Sequence, residues 1–310
     1  MDLFSIGEMV IDFIPGEQEH SYIRMAGGAP ANVAIAVAKN GLKAGFCGKV
    51  GNDIFGKFLT ETLAENKVAV LCKNPAEDAM TTMAFVTLED GERSFSFARK
   101  PGADTCLSIP DIGENDIMNS RMIHAGSFSL SREPVAEVTR HVMKMAYENK
   151  KIVSFDVNYR GLAWDDDKEY AAVKIFEVLP YVDLLKVSDD EIDLVGGTDH
   201  LFALMAEYQI TAIVVTSGQE GARCYWNSKI LFSPAYRGEV VDTTGAGDAF
   251  WGGFLSEILR HMPPGPIDWT EDILLQAMKV GNIAGGLCVQ KKGAISALPT
   301  RAEIEAKLEL

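Results

Sequence analysis

The chain has 310 residues, 47% apolar and 24% charged, which is enough apolar material for a sizeable core and leaves no case for disorder. Asp and Glu number 44 against 29 Lys and Arg, and the resulting net charge of −15 argues against general nucleic-acid binding, because it repels a phosphate backbone. No uninterrupted apolar run reaches the ~20 residues of a membrane helix, and the N-terminus carries Asp2, Glu8 and Asp12 where a leader needs basic residues, so the expected compartment is the cytoplasm.

In chain order, short β-rich runs alternate with longer helical patterns. Leu3–Ile6 predicts a strand. Ala26-Gly-Gly-Ala-Pro-Ala-Asn32 is a glycine turn running into a helix over Ala31–Asn40. A second strand is predicted over Ala44–Val50 and a helix over Phe55–Asn66. Between them, Gly51-Asn-Asp-Ile-Phe-Gly-Lys57 has the spacing of a phosphate-binding P-loop. Phe58, however, stands where a Ser or Thr must bind Mg²⁺, so this reading is set aside.

The next region breaks the rhythm. Thr82–Leu88 reads as a strand, Glu89-Asp-Gly-Glu92 as a tight turn, and Ser94–Arg99 as a period-two strand. A β hairpin inside an alternating chain suggests a small accessory sheet, either an edge extension or a lid over a site. Alternation then resumes, with a helix over Glu133–Lys150 and strands over Ile152–Asp156, Leu184–Val187 and Ala212–Thr216. Helices are predicted over Leu201–Tyr208, Gly247–His261 and Glu271–Val289. Met262-Pro-Pro-Gly-Pro266 is a loop, and Thr300-Arg-Ala-Glu303 is a capping box opening a terminal helix. Strand–helix alternation of this kind predicts an α/β fold, a mostly parallel sheet with helices on both faces.

The strongest chemical signal is Val241-Asp-Thr-Thr-Gly-Ala-Gly-Asp-Ala-Phe250. Its small residues let backbone N–H groups converge at a helix N-terminus, which suits a phosphoryl group. Asp248 lies in the first turn of that helix, where a carboxylate can take a proton from a hydroxyl or merely complement the helix dipole. Asn32 and Asp12 are hydrogen-bonding groups suited to a polyol, but each alone is also an ordinary loop residue. Cys47, Cys72, Cys106, Cys224 and Cys288 have no C-x-x-C spacing and read as small buried thiols in a reducing compartment. The five histidines are scattered and make no metal motif.

Together these segments resemble the pfkB (ribokinase-like) carbohydrate kinases over nearly the whole chain. Both family signatures are present in order, Ala26-Gly-Gly-Ala-Pro-Ala-Asn32 through Gly51 and Asp242-Thr-Thr-Gly-Ala-Gly-Asp248. The resemblance implies one domain over residues 1–310 with a three-layer α/β/α core and a small β lid, its segments at about 12–24 and 82–99. It implies ATP, Mg²⁺ and K⁺ as cofactors, Asp248 as catalytic base, and the N–H groups of Gly245, Ala246 and Gly247 as an anion hole. By the same resemblance, Asp12, Gly27, Gly28, Asn32, Arg99 and Arg160 contact the acceptor sugar. Lys186, Ser188, Glu191, Thr216, Gly218, Gly221 and Asn282 line the nucleotide, with Glu191 holding Mg²⁺ through water. Asp242, Thr244 and Gly293 belong to a monovalent-cation loop.

Ser188 stands where the ribokinase type has Asn, as in many fructokinases. Fructose is the expected acceptor and 2-keto-3-deoxygluconate the alternative, its carboxylate to be met by Arg99 or Arg160. A non-catalytic sugar-binding regulator is the reading from another class, against which the intact Asp248 speaks. A dinucleotide oxidoreductase would need G-x-G-x-x-G after the first strand, and Gly7-Glu-Met-Val10 does not provide it. Phe95 and Phe97 on an exposed lid edge imply a homodimer.

Overall fold

The computed structural model describes residues 1–16, 18, 20–89, 92–262 and 267–308, the side chains of 86–89 and 92–95 excepted. The strands are β1 Leu3–Ile6, β2 Val10–Pro15, β3 Tyr22–Gly27, β4 Ala44–Cys47, β5 Ala69–Val70, β6 Met83–Glu89 and β7 Glu92–Ala98. They continue with β8 Met122–Gly126, β9 Ile152–Asp156, β10 Leu184–Ser188, β11 Ala212–Thr216, β12 Ala222–Trp226 and β13 Lys229–Ser233. The helices are α1 Ala29–Lys39, α2 Ile54–Glu65, α3 Glu114–Met118, α4 Val135–Glu148 and α5 Lys168–Val178. After them come α6 Leu201–Tyr208, α7 Ala246–His261, α8 Glu271–Cys288 and α9 Arg301–Leu308.

Nine strands form one sheet in the order β13-β12-β11-β10-β9-β8-β1-β4-β5. The run from β5 to β11 is parallel, and β12 and β13 close it as antiparallel strands. Four more strands form a separate small sheet, β3-β2-β6-β7, in which β2 and β6 run parallel. The expected α/β architecture is therefore present.

Successive residues of a strand point to opposite faces, so each strand feeds two cores. Phe4, Ile6, Ile123, Val153, Phe155, Leu185 and Val187 pack with α4, α5 and α6. Leu3, Met122, Leu184, Ala212 and Val214 pack on the other face with α1, α7 and α8.

Several expected boundaries move. The strand predicted to Val50 ends at Cys47, and its continuation makes only an isolated bridge at Gly51. The Gly51–Lys57 string is a capped helix start. Asp53 accepts from the N–H groups of Phe55 (2.9 Å), Gly56 (2.8 Å) and Thr81 (2.8 Å), so a carboxylate occupies the spot a P-loop keeps for phosphate. The 12–24 segment is a hairpin, β2 and β3, whose second strand reaches Gly27. Thr300 and Glu303 form the expected capping box ahead of α9. The tip of the Glu89–Glu92 turn (90–91), the Pro/Gly loop at 263–266 and the Phe95 side chain lie outside the described residues. Phe97 is not an open edge residue, since its ring packs on Phe128 at 5.8 Å. All five cysteines are free, and all but Cys106 are buried. Among the described residues no helix is long and apolar enough to cross a membrane.

Candidate active site

The site lies where the C-terminal ends of the parallel strands meet the N-termini of α1 and α7. Gly245 precedes α7 with φ 77, a left-handed conformation that favours glycine. The loop thereby turns into the helix with its N–H groups leading. Of the three expected anion-hole donors, Ala246 already reaches Thr243 O at 3.2 Å, so Gly245 and Gly247 are the more direct ones.

Asp248 follows in the first helical turn and is buried. Its Oδ2 accepts from Asn32 Nδ2 at 2.7 Å, across 216 residues of sequence. Burial raises the Asp248 pKa above the ordinary carboxylate value, against the pull of the Asn32 bond and of Lys186 and Arg160. Asn32 Oδ1 is buried with no protein partner, an acceptor left over for a ligand.

Asp12, on β2, reaches the same space from the small sheet. Its pKa is raised to about 6, first by burial and also by Asp248, while Arg160 opposes the rise. Gly27, on the neighbouring strand, has no side chain because a Cβ there would overlap the Asp12 carboxylate. Gly28 lies between β3 and α1, against the backbone of Glu8 and Met9. Arg160 is exposed, with Nη1 donating to Tyr159 O at 2.9 Å. Asp12, Gly27, Asn32, Arg160 and Asp248 are thus brought together.

Arg99 is engaged by other partners. Its guanidinium is buried against Asp104, with Nη2 to Oδ2 at 2.7 Å and Nε donating at 2.9 Å. Nη1 donates to Ser131 Oγ at 3.0 Å, and the guanidinium carbon lies 4.1 Å from the centre of the Phe128 ring. Asp104 also accepts from Thr82. Glu8 lies close to this pair, and burial pushes its pKa up to about 8. One Glu8 oxygen accepts from Ala29 N at 3.1 Å and the other has no partner.

On the phosphate side, Lys186 Nζ donates to Asp156 Oδ2 at 2.8 Å in a pair 6% and 2% exposed. Burial opposes the Lys186 charge, but Asp156, Glu191 and Asp248 outweigh it, so the ammonium stays protonated. The ammonium sits against the anion loop, since a Cβ on Gly247 would lie 3.5 Å from it. Glu191 accepts from Tyr159 N at 2.6 Å and Ser188 N at 3.0 Å. Asp156 Oδ1 is buried without a partner, and Asp156, Glu191 and Asp248 act electrostatically on Lys186 together. Among the described residues no three acidic, His or Cys side chains are placed to ligate a metal directly, so a divalent cation would meet Asp156 or Glu191 through water.

Ser188 and Thr216 end β10 and β11 in register, side by side. Gly218 and Gly221, both at positive φ, carry the turn beyond β11. Asn282 is buried and donates to Ser233 O and Oγ, both at 3.0 Å, so it holds β13 beside this turn. Asp242 joins the cation-loop residues. One carboxylate oxygen accepts from Thr244 N and Oγ1, at 3.0 and 2.7 Å, and the other from Gly293 N at 2.9 Å. Asp242 thereby ties the 242–244 turn to Gly293.

The sequence reading missed Asp156 as a site residue, although period two along β9 puts it on the same face as Ser154. It also missed Glu8, Asp104 and Met25, whose thioether lies against Gly293 and joins the small sheet to the cation loop.

The sequence matches the pfkB family of carbohydrate kinases over residues 1–301. It is 36% identical over 318 residues to a probable fructokinase-4 of Arabidopsis thaliana, covering 99% of this chain and 96% of that one. The fold superposes on an ATP-bound fructokinase of Xylella fastidiosa with a TM-score of 0.94 at 31% identity, over 99% of this chain and 98% of the other. A double-mutant fructokinase of Vibrio cholerae O395, bound to fructose, ADP and potassium, matches with a TM-score of 0.89 at 32% identity, over 98% and 97%. Paired signatures, a strand-end site under a second small sheet, and full-length likeness in both sequence and fold agree, and the chain belongs to the pfkB family of carbohydrate kinases.

Proposed function

We propose that the protein is an ATP-dependent fructokinase that forms fructose 6-phosphate. The observation that carries the reading is the buried Asn32–Asp248 bond of 2.7 Å at the N-terminus of α7, with Asp12 facing it. Asp12 and Asn32 hold the sugar hydroxyls. Asp248 takes the proton of the primary hydroxyl, and its raised pKa makes it a better base than an ordinary carboxylate. Gly245 and Gly247 N–H groups and the Lys186 ammonium stabilise charge on the phosphoryl oxygens, so catalysis is positioning plus electrostatics. Asp156 and Glu191 would hold Mg²⁺ through water, where it would supply positive charge against the nucleotide phosphates. Asp242, which ties Thr244 to Gly293, would lie beside K⁺, whose charge would help hold the loop that carries the anion hole.

The whole of residues 1–310 is one catalytic unit, with β2, β3, β6 and β7 as a lid that excludes water from the transfer. Tyr22 and Ile23, 47% and 50% exposed on the outer lid strand, are where a second copy docks to make a homodimer. The cytoplasm, which supplies ATP and keeps five thiols reduced, is its compartment.

Arg99 separates the acceptors. Its charge is already met by Asp104, so of the two arginines Arg160 is the one left for a sugar carboxylate, and it already faces two acids. That favours neutral fructose over 2-keto-3-deoxygluconate. The test follows ADP release with MgATP and K⁺ across fructose, 2-keto-3-deoxygluconate, ribose, glucose, tagatose, inosine and adenosine, and identifies the phosphorylated position. Fructose should have the highest kcat/KM. A higher value for the keto acid would move the substrate, and saturable sugar binding with no turnover of anything would make the protein a regulator.

A further inference from the structure

A chain of polar groups runs through the sheet core beneath α7, and none of them touches the acceptor site. Trp251 is fully buried, and its Nε1–H donates to Ser154 Oγ at 2.9 Å. Ser154 Oγ lies 3.0 Å from His124 Nδ1. Burial, with Lys186 nearby, pushes the His124 pKa down to about 3, so the ring is neutral. The Ser154 hydroxyl accepts from Trp251 and shares a second hydrogen bond with Nδ1, whose direction follows the ring tautomer. Ser5, His124 and Ser154 stand in register across β1, β8 and β9. Ser5 Oγ donates to Pro30 O at 2.7 Å, which ties in the first turn of α1. The same row of side chains thus holds both helices whose first turns carry Asn32 and Asp248.

Three consecutive residues fix how α7 is rotated. Trp251 faces the sheet through its directional bond. A Cβ on Gly252 would strike Ala36 of α1, and one on Gly253 would press on Ala284 of α8. Residues ~100° apart around a helix face three different neighbours, so α7 can neither roll nor slide without losing one of these contacts. Apolar packing alone would be less demanding, because it is non-directional. Burying an indole N–H, a hydroxyl and an imidazole nitrogen is costly unless they are paired, and here Trp251 Nε1, Ser154 Oγ and His124 Nδ1 bond in a chain.

We propose that Trp251 and Ser154 are positioning residues for phosphoryl transfer. Through the Trp251–Ser154–His124 chain they set the placement of α7, and with it the aim of Asp248 at the acceptor hydroxyl. The proposal rests on Asp248 being the base. Trp251 lies three residues beyond Asp248, one turn along the helix, so the tie acts close to the carboxylate. A displacement of about an ångström in a catalytic group is enough to cost ~10²-fold in rate.

The experiment compares wild type, Trp251→Phe, Ser154→Ala, the double variant and Asp248→Asn. It measures kcat, both KM values, sugar and ADP affinities by calorimetry, and unfolding midpoints, using the acceptor that wild type turns over fastest. Trp251→Phe keeps an aromatic ring but removes the donor, and Ser154→Ala removes the acceptor. Each should lower kcat about tenfold with KM and binding within twofold, because ligands still bind and only the base is misaimed. The double variant has one fewer orphaned polar group than Ser154→Ala. Its unfolding midpoint should recover relative to that variant while kcat stays low. A purely structural role gives the opposite pattern, with kcat within twofold of wild type in every folded variant, or kcat returning with stability in the double; either result overturns the proposal. Should Trp251→Phe fail to fold, Ser154→Ala alone gives the same reading. If Asp248→Asn retains full turnover, the base assignment has failed. If Asp248→Asn is inactive while Trp251→Phe is fully active, only the positioning role has failed.

Discussion

On the side of the main sheet that packs with α4, α5 and α6, strands β1, β8, β9 and β10 present Phe4, Ile6, Ile123, Val153, Phe155, Leu185 and Val187. The same strands turn Ser5, His124, Ser154, Asp156 and Lys186 to the other face, all 5% exposed or less. Both faces are equally dry, yet one is oil and the other holds a paired polar row that ends in charges at the strand tips. Period two lets one strand do both jobs. The apolar face supplies stability without specificity. The polar face spends desolvation on direction: Ser5 bonds the first turn of α1, Ser154 bonds Trp251 of α7, and Lys186 lies against the Gly247 turn.

Breaking the charged end of the polar face should have the largest effect. Lys186→Met strands the buried Asp156 carboxylate and removes a cation from the phosphate site. It should cost ~3–5 kcal/mol of stability and, in whatever folds, at least ~10²-fold in kcat, read from urea melts and ADP release. Phe155→Ala on the apolar face should cost a similar ~3–5 kcal/mol but leave kcat per folded molecule within about twofold. Equal damage to activity from the two would erase the contrast.

A smaller effect concerns the acid at the base of the small sheet. Glu8 keeps its proton in the native state up to about pH 8, whereas unfolded Glu releases it near its ordinary value of 4.5. The native state therefore binds more protons between those values, and stability falls as pH rises through that window, by at most ~1.4 kcal/mol per pH unit for one group. Glu8→Gln should flatten that slope in denaturant melts from pH 5 to 8. An unchanged slope would show that Glu8 is ionised in the native protein. The smallest effect is at the periphery, where Thr300→Ala removes the α9 cap, costing about 1 kcal/mol in melting experiments with kcat unchanged.

The fold was legible where local and global signals agree. Ile152–Asp156 and Ala212–Thr216 are doubly covered parallel strands that read as such, and the Gly245–Asp248 turn announces a helix N-terminus. Met122–Gly126 was missed because its central His124 and terminal Gly126 dilute the β pattern, and only the polar row across the sheet explains a histidine there. β12 and β13 were missed because Arg223, Asn227 and Lys229 mask alternation at a sheet edge. At the site, Asp12, Asn32 and Asp248 were found through motifs, but the bond joining Asn32 to Asp248 spans 216 residues and no local pattern encodes it. The family resemblance implies that Arg99 contacts the sugar. Asp104, five residues on, takes that charge instead, because a buried guanidinium needs a carboxylate more than a neutral sugar does.

The most direct test is the pH–rate profile of wild type beside Asp248→Asn, with fructose and MgATP, after calorimetry has shown that both bind fructose and ADP alike. Wild-type kcat/KM should fall on the acid side with an apparent pKa above the ordinary carboxylate value, since burial raises that of Asp248 and raises that of Asp12 to about 6. Asp248→Asn should lose about 10³-fold in kcat at every pH. Turnover within tenfold of wild type in a variant that still binds both ligands would contradict Asp248 as the base and, with it, the assignment of chemistry to this face of the sheet.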